Sequence, residues 1–85
     1  MTDEELKSQL KELVVERLFL NVEPQEIGDD DQLMGKFGID SVQLFEIIVG
    51  LEEVFEVSMA DEEFSVDHFQ SINSIAEFVK QKKGL

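Results

Sequence analysis

Residues 38–55, GIDSVQLFEIIVGLEEVF, carry the strongest structural signal in this chain. Apolar residues recur in this segment every three or four positions, which predicts a helix from about Ser41 to about Phe55. The apolar stripe consists of Leu44, Ile47, Ile48, Leu51, Val54 and Phe55. Asp40 or Ser41 is suited to cap the start, because either side chain can accept a backbone N–H. Three apolar residues fall partly off the stripe, which indicates a second apolar contact besides the core: Val42, Phe45 and Val49.

Three other segments carry helical patterns. A first helix is predicted from about residue 3 to about residue 20, with Thr2 as its cap. A short third helix is predicted near residues 61–69, with Asp61 as its cap, and a last helix from about Ile72 to Lys82. Ser71 can cap the last helix and Gly84 can stop it. No segment alternates convincingly enough to be a strand. The sequence therefore predicts an all-α four-helix bundle with three longer helices, one short third helix, and a long loop between helices one and two.

The predicted loop, residues 21–39, contains the acidic triplet Asp29–Asp31. Loops of this length are uncommon in compact domains and are often functional. Five apolar residues can anchor it to the core: Val22, Ile27, Leu33, Met34 and Phe37. The triplet does not fit a calcium-binding EF-hand, because neither register places oxygen ligands and glycine where that loop needs them. Loose cation binding stays open, and solvated acids are the simpler interpretation.

Composition limits the class of protein. The 85 residues suffice for one domain, which we assign to 1–85. The absence of cysteine excludes disulfides, thiolate metal sites and a protein-borne thiol nucleophile. The N-terminus is acidic, unlike a secretory signal, and no apolar run approaches the roughly 18 residues of a membrane span. We expect a cytoplasmic monomer without a membrane span.

Charge points to the kind of partner. Twenty acids against seven bases give a formal net charge of −13, and no Lys or Arg occurs between Lys36 and Lys80. Such a surface repels nucleic acid and attracts basic proteins. A solvated acidic surface that keeps a small protein in solution explains the same pattern. The expected partners are proteins with basic patches, and no nucleic acid.

Catalysis by the chain itself is not expected. His68 is the only histidine, and no metal ligands stand near it at a suitable spacing. Ser41 has no histidine within short range, and no enclosed pair of carboxylates is evident. We assign no catalytic residue and no metal site, and we expect a protein that is not an enzyme.

Ser41 is the remaining chemical candidate. As a helix cap it is ordinary. A serine at a helix start is also exposed, and the free N–H groups and positive dipole end of the helix favour a phosphate attached there. It needs no activating base of its own, because a modifying enzyme can supply one.

The run Phe37-Gly38-Ile39-Asp40-Ser41-Val42 resembles the attachment motif of the acyl carrier proteins. The runs Leu44–Ile48 and Leu51–Phe55 are similar to their second helix in apolar and acidic positions. The resemblance implies that a phosphopantetheinyl transferase moves 4′-phosphopantetheine from coenzyme A, with magnesium, onto Ser41, beside the motif neighbour Asp40. The thiol of this arm would hold acyl groups as thioesters for enzymes with basic patches that transfer or modify them, in fatty-acid or related biosynthesis. Val42 stands where the family usually has leucine, so a specialised member is possible.

The resemblance also assigns surface and pocket residues. The acids placed to contact partners are Glu46, Glu52, Glu53 and Glu56. In this family an acyl chain can withdraw between the second and third helices, and the candidates to line that space are Val42, Phe45, Val49, Met59 and Phe64. Core packing is the simpler interpretation of each of them. Two alternative functions are a carrier of aminoacyl or polyketide units, and an unmodified acidic helical adaptor that binds a basic partner.

Overall fold

The structure, a computed structural model, describes residues 2–58 and 66–84, and in this part every regular element is helical. The α-helices are α1 (Asp3–Leu18), α2 (Leu33–Phe37), α3 (Ser41–Phe55) and α4 (Ile72–Lys83). Two 3-10 turns, Pro24–Glu26 and Val66–Phe69, precede α2 and α4. The predicted all-α architecture with three long helices is confirmed. Val66–Phe69 is the described part of the predicted short third helix, and its expected cap, Asp61, lies outside the described residues.

The predicted caps of the three long helices are present. Thr2 Oγ1 accepts a hydrogen bond from the Glu5 amide at 3.2 Å, and Ser71 Oγ accepts one from the Ser74 amide at 3.2 Å. Asp40 is the cap of α3, and Gly84 ends α4 with a φ of 73°. Local chemistry therefore sets the boundaries of the long helices, and these lie within two residues of the predicted ones.

The region between α1 and α3 differs from the predicted loop, because it contains α2 and a 3-10 turn. Ile27 and Leu33 are buried as expected, and Val22, Met34 and Phe37 are half-buried against the core. Two backbone hydrogen bonds join this region to the start of α4: Leu33 N–H to the Gln70 carbonyl at 2.8 Å, and Asn73 N–H to the Asp29 carbonyl at 3.0 Å. The segment that precedes Ser41 is thus held in place both by its buried apolar side chains and by these two backbone hydrogen bonds.

The core lies among α1, α3 and α4. Its largest fully buried side chain is Phe69, whose ring centroid lies 5.5 Å from that of Phe78. The lone histidine packs at the same place, with its ring centroid 5.3 Å from that of Phe78. Fully buried aliphatic residues complete the core: Leu6, Leu10, Val14, Leu44, Ile47, Leu51, Ile72, Ile75 and Val79.

Gly50 of α3 lies at the contact between α1 and α3. A Cβ atom at this position would lie 3.0 Å from Leu13 Cδ2 and 3.1 Å from Arg17 Nε. A glycine inside a helix costs about 1 kcal/mol relative to alanine, and here it lets the two helices approach closely. The glycine that weakens α3 locally is therefore the residue that brings α1 onto it.

Val54 does not belong to the buried stripe, so its predicted core position is wrong. Its side chain is 55% exposed. Leu13 and Arg17 pack against Gly50, one turn earlier in α3, and Val54 borders the open groove between the helices instead of filling it. Helical periodicity alone could not show that α1 leaves this position uncovered.

Candidate functional site

Ser41 is the first residue of α3, and its side chain is exposed. A reciprocal capping box holds this turn: Asp40 Oδ1 accepts from the Gln43 amide at 2.8 Å, and Gln43 Oε1 accepts from the Asp40 amide at 3.1 Å. The preceding Ile39 is buried and Gly38 has a φ of 66°. The Ile39 side chain enters the core, whereas Ser41, two residues later, faces solvent. The position of Ser41 is therefore set by packing as well as by the cap.

The start of α3 has spare hydrogen-bonding capacity. Within residues 2–58 and 66–84, the amides of Ser41 and Val42 and the Ser41 hydroxyl make no hydrogen bond. Free amides and the positive end of the helix dipole favour an anion at this position. An exposed hydroxyl beside two free amides fits a phosphodiester bonded to the serine oxygen.

An apolar stripe extends from Ser41 along the solvent side of α3. Val42, Phe45 and Val49, spaced three and four residues apart, are 71%, 53% and 41% exposed. These three pocket candidates therefore share one face of the helix, and they are not core residues. The other two candidates, Met59 and Phe64, lie outside the described residues.

Acidic side chains flank this stripe. We call the exposed residues Val42, Phe45, Glu46, Val49, Glu52, Glu53 and Glu56 the outward face of α3. Glu46, Glu52 and Glu56 form no ion pair with any residue that the structure describes. Glu53 differs, because its carboxylate pairs with the guanidinium of Arg17 from α1. Three of the four predicted partner-binding acids are thus open to an incoming base.

The acidic triplet is engaged within the protein. Asp29 pairs with Lys11 at 2.8 Å and with Lys7 at 3.6 Å, and Asp31 pairs with Lys36 at 2.8 Å. Asp30 accepts a hydrogen bond from the side-chain amide of Asn73. The hydrogen bond from Lys11 lowers the pKa of Asp29, and that from Lys36, helped by the Gly28 amide, lowers the pKa of Asp31. No cluster of metal-ligating side chains occurs in the described part of the chain.

A groove of about 730 Å³ lies beside the ion pairs of Asp29, between α1 and the segment after it. Its lining is mostly charged, including Lys7, Lys11 and Asp29, and none of its lining residues belongs to α3. A polar groove remote from Ser41 is unsuited to shelter an acyl chain attached there. Among the described residues, no helix is long and apolar enough to cross a bilayer.

Sequence reasoning missed Arg17 and the packing role of Gly50. The glycine was visible as an interruption in an otherwise apolar helix. That Arg17 lies against this glycine and reaches Glu53 depends on the approach of α1, which no local pattern encodes.

The fold and the site define a small helical domain that presents an exposed serine on a capped helix start. Residues 8–79 match the family model described as "Phosphopantetheine attachment site". The chain is 30% identical over 74 residues to an acyl carrier protein of Wolinella succinogenes, covering 87% of this chain and 92% of that one. It is 32% identical over 75 residues to one of Solidesulfovibrio magneticus, covering 88% and 91%.

The solution structure of a holo acyl carrier protein from Nitrosomonas europaea superposes with a TM-score of 0.81 at 26% identity, covering 93% of this chain and 96% of that one. The chain belongs to the acyl carrier protein family. Its role is that of a carrier, and its cofactor is a covalently attached 4′-phosphopantetheine. Proteins of this family are carriers rather than catalysts and act with enzymes of acyl metabolism.

Proposed function

We propose that Ser41 carries the 4′-phosphopantetheine arm and that the protein presents acyl thioesters to enzymes of fatty-acid or related biosynthesis. One observation carries the assignment: Ser41 is an exposed serine at the start of α3, beside two amides without hydrogen bonds among the described residues. Other exposed serines occur, such as Ser8 within α1 and Ser58 after α3, but neither starts a helix. The phosphate of the arm would lie where helix electrostatics favour it.

Attachment requires little of the carrier beyond an accessible hydroxyl. The Ser41 oxygen forms the new bond to the phosphorus of the arm, the bond from that phosphorus to the nucleotide part of coenzyme A breaks, and the serine proton goes to a base on the transferase. Asp40 is occupied as the cap of α3, accepting from the Gln43 amide at 2.8 Å. It therefore orients the serine by fixing the turn. The carrier itself supplies no catalytic group, in agreement with a protein that is not an enzyme.

The outward face of α3 is the proposed docking surface for the transferase and for the acyl-processing enzymes. Glu46, Glu52 and Glu56 supply negative charge around the apolar stripe. Charge pairs at such a surface contribute little affinity each, and they mainly steer the encounter. Weak, fast docking suits a carrier that visits several enzymes in turn.

The apolar stripe also gives the acyl chain a candidate contact surface. Val42 directly follows Ser41, and Val49 lies two turns further along the helix. We keep Val42, Phe45, Val49, Met59 and Phe64 as the proposed residues of an acyl-binding space. An NMR comparison of the holo and acyl forms tests this assignment, since the methyl resonances of Val49 should shift on acylation while those of core Val79 should not.

Mass spectrometry tests the attachment residue. Incubation with coenzyme A, magnesium and a phosphopantetheinyl transferase should add one phosphopantetheine mass to the wild type and to Ser58→Ala. Ser41→Ala should gain none, although a helical circular dichroism spectrum should show that it folds. Modification of Ser41→Ala, or no modification of the wild type by several transferases, would overturn the proposal.

A loading assay identifies the cargo, because it shows which activating enzymes attach a group to the holo form. Loading by an acyl-activating enzyme of fatty-acid biosynthesis supports the proposed pathway, whereas selective loading by an amino-acid-activating or polyketide enzyme replaces it. We also propose that the carrier acts as a cytoplasmic monomer. A sedimentation experiment on the holo form tests its oligomeric state, and fractionation of the host cell tests its location.

A further inference from the structure

Arg17 is the base that neutralises part of the outward face of α3. The Arg17 side chain extends from α1 and lies against Gly50, with Nε 3.1 Å from the position that a Cβ atom would take there. Its guanidinium pairs with the Glu53 carboxylate. The Arg17 side chain is 30% exposed and that of Glu53 is 60% exposed. The contact therefore joins a partly covered cation to an acid of the proposed docking surface.

The path of Arg17 depends on the glycine beneath it. Because Gly50 has no side chain, the stem of Arg17 can cross α3 at this point and reach the carboxylate one turn further along. The neighbouring acid, Glu52, has no such partner among the residues that the structure describes. Of these two adjacent glutamates, Glu53 is paired within the protein, and Glu52 is not paired with any described residue.

We propose that Arg17 withholds Glu53 from basic partners, so that docking enzymes engage Glu46, Glu52 and Glu56. This inference rests on the proposed docking function and specifies its contact residues. A partner lysine or arginine that bound Glu53 would have to displace Arg17, exchanging one exposed ion pair for another with little net gain. The cation of Arg17 also repels an incoming base from Glu53.

The Arg17–Glu53 pair also limits the affinity of the docking surface for a basic partner. Without Arg17, the docking surface would offer a fourth open carboxylate, and an exposed pair of this kind changes affinity by about two- to fivefold. Arg17 thereby favours release of the partner, because fewer charge pairs have to be broken on dissociation.

A kinetic cycle tests this proposal with a phosphopantetheinyl transferase as the probe. Arg17→Gln should lower the KM for the apo protein about two- to fivefold, with kcat unchanged, because Glu53 becomes available. Lys11→Gln is the matched control, since it makes the same change in net charge at a site that pairs with Asp29 on another side of the protein. In a Glu53→Gln background, the effect of Arg17→Gln should shrink to that of Lys11→Gln.

Several outcomes would overturn the inference: equal effects of Arg17→Gln and Lys11→Gln, an unchanged or raised KM for Arg17→Gln, or an Arg17 effect that persists without Glu53. Circular dichroism confirms that each variant is folded at the assay temperature. If the wild type is not modified at all, the proposed function fails. The same variants are then titrated with a heptalysine peptide and followed by NMR. Only Arg17→Gln should increase the chemical-shift changes at Glu53.

Discussion

The charges around α1 and those on the outward face of α3 are arranged in opposite ways. Around α1, oppositely charged side chains from separate segments meet, as in Lys11 with Asp29 and Lys80 with Asp3, both at 2.8 Å. On the outward face of α3, Glu46, Glu52 and Glu56 have no such partner in the described ranges 2–58 and 66–84. The first arrangement joins parts of the fold, and the second leaves charge available to another molecule.

This difference separates acids that are paired within the fold from acids that are left unpaired for the proposed docking. A paired surface acid contributes a small stabilising free energy, whereas unpaired acids on one face repel one another. A net charge of −13 makes that repulsion substantial for an 85-residue chain. The exposed side chains of Val42, Phe45 and Val49 lie between the unpaired acids, so the outward face of α3 would combine steering with apolar contact in the proposed docking.

The largest expected effect comes from comparing a buried apolar residue of the fold with an exposed one on the outward face of α3. Leu33 is fully buried and anchors the segment before α3, whereas Val42 is 71% exposed. Leu33→Ala should lower the free energy of unfolding by about 2–5 kcal/mol through the cavity it leaves. Val42→Ala should change it by no more than about 0.5 kcal/mol.

Urea unfolding followed by circular dichroism measures both effects. A loss of stability in Val42→Ala as large as that in Leu33→Ala would show that the outward face of α3 is part of the core. Val42 would then stabilise the fold, and it would not be an exposed residue available to another molecule.

A smaller effect is expected at the contact between the two regions. Gly50→Ala should lower the free energy of unfolding by about 1 kcal/mol, because the added Cβ would lie 3.0 Å from Leu13 Cδ2, and Leu13 is itself confined in the core. Gly35→Ala is the matched control. Its Cβ meets nothing closer than 3.9 Å, so it should stabilise the protein by about 0.5–1 kcal/mol through helix propensity.

Thermal unfolding of both variants checks this pair. A stabilised Gly50→Ala would mean that Leu13 and Arg17 move aside at little cost, and that the glycine is not needed for the approach of α1. Such a result would show that α1 can pack on α3 even when the Arg17 side chain takes a different path.

The smallest expected effect compares two acids directly. The pKa of Asp29 is lowered by its hydrogen bond from Lys11, so its contribution to stability is present above the unfolded value of 3.8 and is lost as the pH falls through the lower folded value. Asp29→Asn should therefore be slightly less stable than the wild type at pH 7, and the difference should vanish in acid below that window. Glu52→Gln, with the same charge change, should be neutral or slightly stabilising at pH 7.

Urea unfolding between pH 7 and pH 2.5 measures this difference. A destabilised Glu52→Gln at pH 7 would indicate that Glu52 serves the fold, as Asp29 does. A pH-independent difference for Asp29→Asn would contradict the role of its ion pair.

Much of the fold could be predicted from local signals. The bounds of α3 match because Asp40 caps its start, and Ser71 and Gly84 mark the ends of α4 in the same way. The exposed position of Ser41 follows from the same turn. A five-residue helix such as α2 was not predicted, because so short an element shows no hydrophobic period.

The features that were not predictable depend on contacts between elements. Val54 has the spacing of a core residue, yet α1 passes beside it without covering it. Glu53 has the same local sequence environment as Glu52, yet only Glu53 is reached by Arg17. Both outcomes are set by the angle and distance at which α1 packs on α3, and these quantities have no local sequence signature.

The two backbone hydrogen bonds between the α2 region and the start of α4 also have a kinetic consequence. Leu33 N–H and Asn73 N–H bond to the carbonyls of Gln70 and Asp29, which are far away in the sequence. Closing such long loops costs conformational entropy, and contacts between distant parts of a chain form slowly. These bonds should therefore form late in folding, after the long helices have packed together. The turn that presents Ser41 would then reach its final geometry only when the rest of the molecule is in place, and a nascent or partly folded chain would be a poor acceptor.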